Sequence, residues 1–414
     1  MKFGRSGFGI LFCLGAMVTL SGCGGDSVDT ANTDSGAQAP TASSPIVPII
    51  PINTFDAPHA ALPLVKFSGG RVMANPSFMA ISFPASTFAS SIETFLSKFA
   101  ASASWTAMTS EYGVSSARAA TPVRLLEAAP ATIDDSQIQS WLSARLNSVS
   151  RPLGAADSNT IYVLNYPQST TVAASGQKSC VDFDGYHSEF SDPVTGTAIV
   201  YAVIANCSGY TVNDQTATIS HELVEAATDP DYNPAYYTVD QENWVWNTVS
   251  YGSEVGDLCQ DYADSYFVPS DVGFRIQASW SNAQAAAGNN PCVPASADPY
   301  FNAAPALSDT VTYQDNGQST TSKGISIPVG HSRVIELDLF SSAQTAAWQL
   351  SASEFGGSSG HLSFGFSSAS GVNGDKVLLT ITVHSINTTF QAEPFWIKST
   401  LNGVTHYWPV VVGN

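Results

Sequence analysis

Two short apolar runs, and the segment after the second, constrain most what this 414-residue chain can fold into. TIYVLNYP (Thr160 to Pro167) and AIVYAVIAN (Ala198 to Asn206) are rich in β-branched residues and short, so they read as buried strands. After the second comes ISHELVEAATDP, Ile219 to Pro230. Asn213 or Asp214 can cap a helix there, and Asp229-Pro230 ends it near Thr228. At about 100° per residue, Ile219, Leu223 and Ala226 share one face, while Thr218, His221, Glu225 and Thr228 share the opposite one. Such a helix lays its apolar face on the strands and keeps a narrow polar stripe. The expectation is a mixed α/β domain reaching to about residue 298.

Other segments fill in that domain. Ile92, Phe95, Leu96 and Phe99 recur at helical spacing and continue toward Trp105 and Met108. Asp134-Asp135 announces a second helix with the stripe Ile138, Trp141, Leu142 and Leu146. VKFSGGRVMANPSFMAISFP, from Val65, reads as a hairpin or a pair of strands. Beyond Pro299 the texture changes to alternating strands and Ser/Gly turns. RVIELDLF sets Ile335, Leu337 and Leu339 against Glu336 and Asp338, and KVLLTITVH repeats the pattern with Leu379, Ile381 and Val383. This predicts an all-β, immunoglobulin-like sandwich of about seven strands over 299–414.

The start of the chain addresses it to the cell envelope. Lys2 and Arg5 precede an apolar run that ends in LSGC at Cys23, the pattern of a lipoprotein signal over 1–22 with Cys23 as the lipidated N-terminus. Gly24, where an aspartate would retain the protein at the inner membrane, points to the outer membrane of a cell that has one. Residues 23–60, rich in Ser, Thr, Ala and Pro, read as a disordered tether. Once Cys13 leaves with the signal and Cys23 carries lipid, Cys180, Cys207, Cys259 and Cys292 remain. In an oxidising compartment they read as two disulfides, and local closure favours Cys180 with Cys207 and Cys259 with Cys292. Acidic residues number 34 against 15 basic, a net charge of −19, which argues against nucleic acid and favours divalent cations.

The polar stripe is where chemistry concentrates. His221 and Glu225, one turn apart, can reach one cation from the same side. Glu222, about 100° round the helix, is a candidate general base for an activated water. A third ligand is sought in EVGDLC, from Glu254 or Asp257. His187, in GYHSEF, is a candidate ligand, supporting group or proton donor. The bland alternative is a solvated His/Glu pair worth a few tenths of a kcal/mol. No G-x-S-x-G elbow and no Gly-rich phosphate loop is present.

SASWTAMTSEYGV (Ser102 to Val114), DGYHSEF, YAVIANC, SHELVEAATDP, EVGDLC and QASWSNA (Gln277 to Ala283) occur in the order found in a group of bacterial exported proteins. That group is distantly similar to the plant EXORDIUM, or phosphate-induced, family. The resemblance covers about residues 65 to 295 and leaves out the C-terminal sandwich. It implies an α+β, zincin-like domain over 61–298 whose metal helix carries His221, Glu222 and Glu225. Where zinc peptidases have H-E-x-x-H, Glu225 replaces the second histidine, which lowers Lewis acidity and favours harder cations. The expectation is one divalent metal, zinc first and calcium second, serving a peptidase acting on peptide or protein. The alternative is a non-catalytic, EXORDIUM-like adhesion protein that binds cell-wall polymer.

Overall fold

The two runs form strands because they are covered on both faces, and the side chains that cover them differ from face to face. In this computed structural model, residues 52–357 and 359–414 are described. The expected signal and the expected lipidation site, Cys23, lie outside the described residues. A central sheet is built from β1 (Ser77–Ser82), β2 (Thr160–Tyr166), β3 (Gly185–Ser191) and β4 (Ala198–Ala205), in the order β1-β2-β4-β3. β1, β2 and β4 run parallel, and β3 joins antiparallel as the edge. Ile161, Val163, Val200 and Ala202 face the larger apolar cluster, while Tyr162, Leu164, Tyr201 and Val203 face the smaller one.

Helices cover both faces. α1 (Ala89–Ala100) and α2 (Ala103–Thr109) split what reads as one helical stripe, because the Ser102 hydroxyl caps a new start by accepting from Trp105 N at 2.9 Å. α3 (Asp135–Leu146) lies on the other face, with Asp134 and Gln137 in a reciprocal capping box. α4 (Val212–Thr228) follows β4. Its cap is Thr211 rather than Asn213 or Asp214, since the Asp214 carboxylate reaches back to the Thr211 amide and hydroxyl, both at 2.8 Å. The Val65 segment forms no hairpin: Val65–Phe67 pairs with Tyr236–Val239, while its second half is β1.

Among the described residues, ten strands between Phe301 and Gly413 form a four-stranded and a six-stranded sheet, more than the seven or so expected. The six-stranded sheet contains β5 (Trp348–Glu354), β6 (Glu393–Leu401) and β7 (Val404–Gly413). Ile335, Leu337, Leu339, Leu379, Ile381 and Val383 are buried, as their alternation requires. The larger apolar cluster crosses residue 299 without a break, with Trp246 standing 5.8 Å from Trp280 and 5.7 Å from Trp408. Residues 53–59, within the expected tether, lie against this body: Asn53 donates to Ser342 O at 2.7 Å and His59 stacks on Phe340 at 3.6 Å. The structure pairs Cys180 with Cys207 and Cys259 with Cys292, which suits an oxidising, extracellular compartment.

Candidate metal centre

The polar stripe of α4 is not solvated. His221, Glu222 and Glu225 are 3%, 2% and 3% exposed, because β3 and the segment Glu254–Asp257 close over them. The spacing then acts as expected: His221 Nε2 lies 3.0 Å from Glu225 Oε2. Asp257 Oδ1 lies 3.7 Å from the same imidazole nitrogen. One position on, Glu222 faces β3, and its Oε2 lies 3.3 Å from His187 Nδ1. Glu225 Oε2 is 3.8 Å from that Nδ1, and Glu254 Oε1 is 3.6 Å from His187 Nε2.

Two glycines make this approach possible. At Gly185 a Cβ would lie 2.6 Å from Thr218 Cγ2 and 3.3 Å from Glu222 Oε1, so β3 could not come so near α4. At Gly256 a Cβ would lie 2.7 Å from Glu225 Oε1 and 2.8 Å from His221 Nδ1. The bare backbone instead aims its amides inward. Gly256 N and Asp257 N donate to Glu225 Oε1 at 3.1 and 3.0 Å, which leaves Oε2 for the imidazoles. Gln277 Nε2 holds the turn by donating to Gly256 O at 2.8 Å, and Gln277 N donates to Ser220 Oγ at 2.9 Å.

Two ligand sets result, His187/Glu222/Glu225 and His221/Glu225/Asp257, each with its donor atoms within 4.8 Å of one another. Glu225 belongs to both. The carboxylates of Glu222, Glu225, Asp229, Glu254 and Asp257 are all buried here and outnumber the two imidazoles. Burial pushes Glu254 and Asp257 well above the carboxylate range, and the negative Glu225 nearby adds to this. For His221, burial works downward, but Glu225, Glu222 and Asp257 outweigh it and raise the imidazole to about 10. His187 is raised in the same way, burial being overcome first by Glu222. Glu225 ends below its usual range, because His221 and His187 outweigh its burial. His221 Nδ1 and Glu254 Oε1 are buried without a hydrogen-bond partner among the described residues.

All six residues expected to serve a site, His187, His221, Glu222, Glu225, Glu254 and Asp257, line one cavity of about 210 Å³ beside the edge strand β3. Tyr232 and Tyr237, from the aromatic stretch that follows α4, line it as well. Sequence reasoning missed Asp229, whose carboxyl is raised to about 6 by burial and whose Oδ1 accepts from Ala235 N. The only signal for it, Asp-Pro after the helix, reads as a stop. Compared with protein-family models, with curated proteins and with solved structures, the chain finds no match.

Proposed function

We propose that this cluster holds one divalent metal ion, zinc in preference to calcium, and that the protein is a zincin-like, metal-dependent peptidase held at the cell envelope through Cys23. The observation that carries the reading is the sharing of the buried Glu225 carboxylate by two His/carboxylate sets. The donor spacing fits. Zinc bonds of about 2.0–2.1 Å set tetrahedral donors about 3.3 Å apart, and His221 Nε2 stands 3.0 and 3.7 Å from its two carboxylate neighbours. The surplus of buried carboxylates over imidazoles calls for a cation in the same place.

His221, Glu225 and Asp257 would be the ligands, with His187 and Glu254 at the rim of the set. A bound ion of this kind lowers the pKa of its water toward neutrality and polarises a carbonyl. Glu222 is the base that takes a proton from the attacking water. His187, 3.3 Å from Glu222, shares that proton until it passes to the leaving amine. The β3 edge leaves backbone groups for an extended peptide to pair with. The sheets beyond residue 299 fit an immunoglobulin-like sandwich that presents this domain to its substrate.

One observation favours a second reading, an EXORDIUM-like binding protein with a structural ion. Carboxylates outnumber imidazoles, which suits harder cations. Calcium, however, takes six to eight oxygens, and two imidazoles point inward here. Glu222→Gln separates the readings. A peptidase loses cleavage of an unfolded protein substrate by at least about a hundredfold while keeping its ion; intact cleavage in the variant removes Glu222 from the chemistry.

A further inference from the structure

His221 also lines a second cavity, of about 520 Å³, within the range of small-ligand pockets. Its walls come from α4 through Ala217, Thr218 and His221, and from the six-stranded C-terminal sheet. Alternation along β6 buries Phe395 and Ile397 on one face and turns Trp396 and Lys398 to the other. Tyr407 of β7 pairs with Lys398 on that outward face.

Four aromatic rings follow one another round the cavity. Tyr251 and Phe355 are 5.5 Å apart and inclined 45°, Phe355 and Trp396 6.3 Å and 65°, and Trp396 and Tyr407 5.3 Å and 62°. Rings in tilted and edge contact form one continuous aromatic wall against which a further ring can pack, instead of paving a flat strip for a chain of sugars. Lys398 is half-buried among them. Its ammonium lies 5.8 Å from the Tyr407 ring, and Lys398 is in none of the lysine and arginine ion pairs among the described residues. Burial lowers its pKa, the mark of a cation short of solvent. Two of the acids on the cavity wall are occupied: Asp184 accepts from the Tyr210 hydroxyl, and Asp214 accepts from Thr211 and from Arg275 at 3.4 Å. Asp261, the third acid of the lining, is exposed to solvent, and burial together with its charge raises the pKa of the Tyr407 hydroxyl. A desolvated lysine in a chain of net charge −19 is a recognition group for an anion.

We infer that this cavity binds the C-terminal residue of a peptide, with an aromatic side chain against the wall of four rings and its free carboxylate on Lys398. The inference stands apart from the metal, because only His221 is shared with the cluster. It places the C-terminal sheets in substrate recognition, beside the proposed reaction centre.

The test is calorimetric titration of the folded protein in chelator with N-acetyl-L-phenylalanine, its amide, N-acetyl-L-alanine and an oligogalacturonate. The acid should bind about tenfold more tightly than the amide, the worth of one charge-assisted hydrogen bond, and more tightly than the alanine compound. Lys398→Met should erase the difference between acid and amide. Equal binding of acid and amide by the unaltered protein overturns the proposal, with no variant needed. Tighter binding of the acidic sugar overturns it in favour of a wall polymer. Because chelator is present, failure here leaves the metal reading untouched.

Discussion

Gly256→Ala is the perturbation whose magnitude follows most directly from the geometry. Its φ of −80° and ψ of −42° suit alanine, so backbone preference alone would stabilise the variant by about 0.4–1 kcal/mol. The Cβ opposes this, since it would stand 2.7 Å from Glu225 Oε1 and 2.8 Å from His221 Nδ1. Relieving that contact costs about 1–3 kcal/mol as overpacking, and weakening the two amide bonds to the carboxylate adds about 1.5–3 kcal/mol. The net expectation is a loss of about 2–5 kcal/mol in urea unfolding of the metal-free protein, with zinc affinity reduced about 10- to 100-fold by calorimetry. Gly365→Ala, whose Cβ meets nothing nearer than 3.9 Å, is the control and should show neither effect. A Gly256→Ala protein that is as stable as its parent and binds zinc equally well refutes the claim that this turn cradles the cluster.

Two further outcomes are expected. Burial pushes Asp192 up, but hydrogen bonds from Ser143, Thr195 and Asn147 outweigh it and hold the carboxyl at about 2, against 3.8 unperturbed. Because the folded value is the lower one, its contribution of about 2 kcal/mol is present above pH 3.8 and lost as pH falls through 2. Asp192→Asn should therefore destabilise by about that amount at neutral pH and not at pH 2, as read by thermal unfolding across that range. The second concerns the proton on His221, whose imidazole is raised to about 10 by its carboxylate neighbours once they overcome burial. An ion must displace that proton, so zinc affinity should climb between pH 6 and pH 9 with proton release on binding. A flat profile in two buffers of different ionisation enthalpy contradicts it.

Local chemistry was legible, and long-range geometry was not. The strands β2 and β4 and the helix α4 follow from uninterrupted apolar runs and a divided helix face, signals carried by neighbours in the chain. His221, Glu222 and Glu225 follow from a one-turn spacing, and Glu254 and Asp257 from an acidic turn next to a cysteine. The strand order β1-β2-β4-β3 depends on pairings across about 80 residues, as between β1 and β2, and no local pattern encodes it. Gly256 reads as an ordinary turn glycine, yet its role is to leave room for two side chains more than 30 positions away. The aromatic cavity is illegible for the same reason, since Thr218 and Tyr407 line one space only when the fold brings the C-terminal sheet opposite α4. Asp229 reads as punctuation because capping and chemistry use the same residue type.

The central claim is that the buried cluster is a metal site, and elemental analysis of the purified protein, after dialysis against metal-free buffer, tests it most directly. One divalent ion per chain is expected in the unaltered protein and in Glu222→Gln, with the ion lost from His221→Ala and Glu225→Ala. An unaltered protein that carries no stoichiometric ion and takes up neither zinc nor calcium contradicts the account.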